Sequence, residues 1–258
     1  MAINSHMLRW FEQLQNSHKI FSESNLAELG PQDFYGGGGK KSAKNLFPSN
    51  WTGRDLYLKY GCKTYTSFDL LDERSISVDF NSPPSASKQF EVVTNFGTSE
   101  HVFNQSAFMK FMHESTTPDG FMLHVVPSAG ARNHGFFNYH PTFFFDLARA
   151  NNYSLISFDY IPHNALQAAR PDDARIVNLL AHRDAPRTRD EPLVRKAILS
   201  LMLRSDFLRL NLRLALRTVR RRNFSSFFET YGSGDYLQVA LRKNGDSPFT
   251  MPIQGMYS

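Results

Sequence analysis

Three histidines and three acidic residues in this 258-residue chain stand where ionisable groups could do chemistry rather than simply solvate a surface. His101 closes the polar turn Thr94–His101, and His134 and His140 lie in Asn133-His-Gly-Phe-Phe-Asn-Tyr-His-Pro141. An imidazole can take a proton from an acceptor hydroxyl near neutral pH, so each is a candidate general base. Glu28, Asp69 and Asp79 each close a strand signal. A carboxylate at the carboxyl edge of a sheet can accept both hydroxyl protons of a ribose, or the exocyclic amine of an adenine. Gly30, just beyond the first of these strands, leaves room for a ligand against the backbone.

These side chains need a scaffold, and the apolar pattern supplies one. The spacing of Met7, Leu8, Phe11 and Leu14 predicts a helix to His18, although the first seven residues are given no structural weight. Strands are expected at Leu26–Leu29, Lys63–Phe68, Ser75–Val78, Phe90–Val93, Phe121–Val126, Leu155–Phe158 and Tyr236–Leu241. Between them come helices at Trp51–Gly61 with Thr52 as cap, from about Val102 to His113 with Thr98 or Ser99 as cap, and at Thr142–Ala150. Strand and helix alternate, which argues for a largely parallel sheet wrapped by helices. Gly36 to Gly39 with three lysines marks a loop. Periodicity is lost from His163 to Asp190, and leucine- and arginine-rich helical spacing follows from Pro192 to Thr218.

Composition narrows the class. Hydrophobic residues make up 41% and charged residues 21%, so the chain can bury a core. Cys62 is the single cysteine, which excludes an internal disulfide and a cysteine-rich zinc site. No apolar run reaches the ~18–20 residues of a membrane span, and the expected location is cytoplasmic. The net charge of +5 concentrates in the arginines between Arg170 and Arg222, rather than across a whole face. The histidines show neither HxxxH nor HExxH spacing, so no metal site is expected.

The phosphate-binding glycine patterns are missing. After the first strand stands Gly30-Pro-Gln-Asp-Phe-Tyr35, not Gly-x-Gly-x-x-Gly, and Gly36–Lys41 lacks phosphate-loop spacing. A cofactor with adenosine but no phosphate remains. At this point the chain resembles the class I S-adenosylmethionine-dependent methyltransferases, from about Leu26 to Leu241. Glu28-Leu-Gly30 is similar to the family's first motif, and Asp69 and Asp79 stand where its ribose and adenine acids follow the second and third strands. Phe90–His101 matches the fourth strand and its active-site turn, and Gly97-Thr-Ser-Glu-His101 resembles a subgroup of small bacterial-type enzymes. Gln32 and Phe34 replace the motif's later glycines, and the interval from Glu28 to Asp69 is lengthened by the segment with the glycine run.

The resemblance implies an α/β, Rossmann-like seven-stranded mixed sheet with its last strand antiparallel and helices on both faces. Residues 1–258 would form one domain, with 163–230 a mainly helical insertion before the last strand. It implies S-adenosyl-L-methionine as cofactor, contacted by Glu28, Gly30, Asp69, Asp79, Asn95, Gly97 and Thr98. A small polar acceptor, a sugar or secondary metabolite methylated at oxygen, would meet Asn133, Phe137, Asn138 and Tyr139, a mixture of aromatic walls and polar groups suited to such a site. His134 is the first choice of base, because Gly135 leaves room beside it, ahead of His101 and His140. His124, within a strand, reads as a core histidine. Two other readings stay open: a nucleic-acid-modifying or nucleic-acid-binding protein using Arg204–Arg222, and a catalytically silent protein of the same fold. A homodimer through that arginine-rich helix is a further expectation.

Overall fold

The computed structural model describes residues 3–34, 47–48, 50–131, 134–161, 177–180 and 235–254. Asn133, the glycine run, the Arg204–Arg222 segment and nearly all of the expected 163–230 insertion lie outside the described residues.

Helix α1 (Ser5–His18) is capped by Asn4, whose side chain accepts from the backbone of His6 and Met7. Its start corrects the expectation for the first seven residues: Ile3 and Met7 are fully buried. Strand β1 (Asn25–Leu29) follows, then α2 (Gly53–Lys59), β2 (Thr64–Asp69) and the two-residue β3 (Ile76–Ser77). Thr52 does start α2, with Asp55 accepting from its backbone N–H at 2.9 Å. Next come β4 (Phe90–Phe96), α3 (Gln105–Glu114), β5 (Thr116–Pro127), α4 (Pro141–Ala150) and β6 (Tyr153–Ile161). The short β7 (Val177–Asn178) and the long β8 (Tyr236–Lys243) complete the described sheet.

One helix start differs from expectation. Ser99–His101 forms a single 3-10 turn, Val102 is extended, and α3 is capped by Asn104, which accepts from Ala107 N–H at 3.1 Å. Thr98 and Ser99 do not cap that helix because their hydroxyls bond elsewhere. Thr98 bonds to the end of β1 and Ser99 to Asn95.

The strands lie in the order β3-β2-β1-β4-β5-β8-β6-β7. β1 to β5 run parallel, and β8 runs antiparallel between β5 and β6. The expected seven-stranded sheet with a reversed last strand is therefore present, and β7 adds a two-residue edge beside β6 that the sequence pattern did not mark. Alternate residues of β1 feed two cores. Leu26 packs with Met7, Phe11, Leu56 and Tyr57 of α1 and α2, while Ala27 and Leu29 face Phe108, Met112, Phe144 and Leu147 of α3 and α4. Both faces of the central strands are thus covered, and ligand access is left to the carboxyl ends of the parallel strands.

Candidate functional site at the carboxyl edge of the sheet

β1 ends at Gly30, whose φ of 82° places it in the left-handed region. β4 ends at Gly97 with φ 75°. Between these two ends Thr98 crosses over, its hydroxyl donating to the Leu29 carbonyl at 2.6 Å. A Cβ on Gly30 would stand 2.2 Å from Thr98 Oγ1, so the room that Gly30 provides is used first by the chain's own threonine.

The carboxylates expected at the cofactor end have distinct surroundings. Glu28 is fully buried and accepts from Tyr57 OH at 2.8 Å, Tyr65 OH at 2.5 Å and Gln32 N–H at 3.1 Å. Burial raises its pKa to about 7, against the pull of those donors. Asp69 is partly exposed at the end of β2, and its Oδ1 accepts from Leu71 and Asp72 N–H. Asp79 is exposed, and its Oδ1 accepts from the backbone and side chain of Asn81. Asp69 and Asp79 therefore shape their own turns.

Just beyond Gly30, Gln32 donates to the Gly30 carbonyl at 3.0 Å, while its buried Oε1 has no partner among the described residues. A free buried acceptor beside the first strand end, with a half-open carboxylate at the second, fits an adenosine cofactor bearing an α-amino group. Gln32 also lines a cavity of about 440 Å³ with Pro31, Thr52, Arg54, Tyr65 and Arg74.

The β4 end is built on a buried network. Asn95 accepts from Ser99 N–H at 3.0 Å and donates through Nδ2 to Ser99 Oγ at 2.8 Å and to His124 Nδ1 at 3.1 Å. Tyr139, 5% exposed, holds its hydroxyl 2.7 Å from Ser99 Oγ and 2.5 Å from Gln105 Oε1. Asn95 and Tyr139 thus act as struts of the turn. His124 is a core histidine: burial drops its pKa to about 3 and its ring packs on Phe144.

Glu100, in the turn this network supports, is fully buried, and its Oε1 lies 3.2 Å from His134 Nε2. Its Oε2 has no partner among the described residues. The loop that carries His134 is tied to the same residue, with Phe136 and Phe137 N–H donating to the Glu100 carbonyl at 2.7 and 3.2 Å. A Cβ on Gly135 would meet that carbonyl at 2.7 Å. The missing side chain of Gly135 therefore lets the loop close on Glu100. His101 stands with its ring centroid 5.2 Å from that of His134. Desolvation by its neighbours lowers the His101 pKa although the side chain is exposed, opposed by the Glu100 charge. Exposed Phe103 and Phe136 meet edge to face at 5.9 Å beside these histidines, with Phe137 alongside. Asn138 donates to the Ala131 carbonyl at 3.2 Å. His140 is exposed and serves as the N-cap of α4, accepting from Thr142 N–H.

The fold therefore brings together two of the three candidate histidines and separates the third. Sequence reasoning passed over Glu100 as a site residue, because its partner is 34 positions away. The one signal was a carboxylate directly beside His101, just after a buried strand. Glu100 faces His134 Nε2, and in the tautomer that donates to it Nδ1 is left as the basic nitrogen.

No family model and no curated protein matches the chain. Among solved structures it is similar to residues 961–1257 of StiE O-MT, at 12% identity over 93% of this chain and 75% of that one, with a TM-score of 0.48. It is also similar to the Burkholderia thailandensis 1,6-didemethyltoxoflavin-N1-methyltransferase, solved with bound 1,6-didemethyltoxoflavin and S-adenosylhomocysteine, at 11% identity over 93% and 79% of the two chains, TM-score 0.47. The N-methyltransferase NodS from Bradyrhizobium japonicum WM9 is 13% identical over 93% and 96%, TM-score 0.42. At such identities no residue role transfers, and the fold rests on the strand order and registers above.

Proposed function

We propose that this chain is an S-adenosylmethionine-dependent methyltransferase that methylates an oxygen of a small polar acceptor. The observation that carries the reading is the Glu100–His134 pair at the end of β4, 3.2 Å between carboxylate and imidazole, beside the strand ends where an open α/β sheet receives its ligand. Gln32 and Asp69 would hold the two polar ends of the cofactor, and Gly97 and Thr98 would border its sulfonium. Bound there, the cofactor supplies an electrophilic methyl group.

The chain's own contribution is positioning and proton transfer. Phe103, Phe136 and Phe137 would wall the acceptor side. His134 Nδ1 would take the acceptor's hydroxyl proton as the acceptor oxygen receives the methyl group that the cofactor would supply. The buried Glu100 carboxylate stabilises the imidazolium formed. Calorimetric titration with S-adenosylmethionine tests the reading. Wild-type protein is expected to bind, and Asp69→Asn, which retains an oxygen acceptor for the 70–72 turn, to bind at least about tenfold more weakly. No binding by wild type, or undiminished binding by the variant, would sink it.

A further inference from the structure

We propose that Glu100, His101 and His134 form a binding site for a divalent transition-metal ion. One ligand atom from each lies within 4.8 Å of the other two. The donor set, two imidazoles and a carboxylate, is the type that holds zinc and its neighbours while leaving positions open to other ligands.

Three independent features favour an ion over a solvated cluster. First, Glu100 is fully buried yet Oε2 has no hydrogen-bond partner among the described residues, so half of a carboxylate is desolvated without return. An ion held by both carboxylate oxygens would supply the missing interaction. Second, the 3.2 Å between Glu100 Oε1 and His134 Nε2 suits two ligands of one ion. Bonds of about 2.0–2.2 Å at tetrahedral or octahedral angles put such atoms roughly 3.0–3.4 Å apart. Third, Glu100 and the loop carrying His134 are fixed to each other by the backbone bonds of Phe136 and Phe137, so the two ligands are preorganised. His101 is exposed and can turn its ring to complete the set.

The linear sequence hides this site. Its three ligands come from an adjacent pair and a residue in a different loop, and no helix presents two of them at a four-residue spacing. Ion binding itself does not depend on the methyl-transfer reading. Its consequence does: with an ion bound, His134 is a ligand rather than the base, and an acceptor hydroxyl on the ion would lose its proton more easily.

The test uses the whole protein, freed of metal with a chelator and titrated with Zn²⁺ by calorimetry and with Co²⁺ by visible absorption. Saturable uptake of one ion per chain is expected, with cobalt bands typical of nitrogen and oxygen ligands. Glu100→Gln and His101→Ala should each weaken uptake at least tenfold, while His140→Ala, outside the cluster, leaves it unchanged. Thermal melts report whether each variant is folded, and His101→Ala decides the question should Glu100→Gln fail to fold. Absence of saturable uptake by wild type, or uptake undiminished in folded His101→Ala, overturns the proposal. Cofactor calorimetry reads a separate event, so failure of ion uptake and failure of cofactor binding are distinguishable, and saturable ion uptake would reassign His134 from base to ligand.

Discussion

Two fully buried carboxylates, Glu28 on β1 and Glu100 after β4, stand near the same edge of one sheet and differ in how they are satisfied. Glu28 collects three donors, two of them tyrosine hydroxyls from α2 and β2, and so ties the helix to the strands. Glu100 has one imidazole and an oxygen with no partner among the described residues. A buried acid whose hydrogen bonds are met ties elements together, whereas one with an unmet oxygen is a cost that function can explain. On the proposed reading the first acid belongs to the fold and the second to the chemistry.

The largest expected effect lies on the Glu100 side. His134→Gln should lower the methyl-transfer rate about 100- to 10,000-fold, the usual worth of a positioned base, with the melting temperature nearly unchanged. Rate measurements with labelled cofactor check this once an acceptor is found. A loss of stability matching the loss of rate would make His134 merely structural. On the other side, Glu28→Ala should cost about 3 kcal/mol in denaturant unfolding, since it leaves Tyr57, Tyr65 and Gln32 without their acceptor. Glu100→Gln should cost no more than about 1 kcal/mol. Equal costs would erase the distinction between the two acids.

The pH dependence separates them again. The Glu28 pKa is raised from 4.5 to about 7 by burial, so its contribution to stability is fully present below pH 4.5 and is lost as pH rises through 7. Between pH 5 and 8 wild type should therefore lose about 1–3 kcal/mol relative to Glu28→Gln, a difference that urea titrations at several pH values would show. A flat difference contradicts the assignment. A smaller effect is expected at the loop. Gly135→Ala places a Cβ against the Glu100 carbonyl and should cost about 1–2 kcal/mol while lowering activity with it. Smallest is His140→Ala, about 0.5–1 kcal/mol from a lost helix cap, with activity retained.

How much of this was legible in the sequence depends on range. The strands at Phe90 and Tyr236, the cap at Thr52 and His124 as a core residue follow from local pattern, whereas the reversed direction of the Tyr236 strand came only from the family resemblance. The start of α3 did not, because Asn95 and the end of β1 compete for the hydroxyls that would have capped it. The Glu100–His134 pair was invisible for the same reason: it exists only once β5 and the following loop have returned to β4. His140 looked equivalent to His134 by composition. Only the structure separates a histidine that caps a helix from one held by a buried acid.

A structure with S-adenosylhomocysteine would test the central claim most directly. The expected result is the thioether lying across the ends of β1 and β4, its ribose at Asp69 and its sulfur facing His134 with space between them for an acceptor. A ligand seated instead in the cavity of Arg54 and Arg74, with His134 remote from sulfur, would contradict the assignment of Glu100 and His134 to the chemistry.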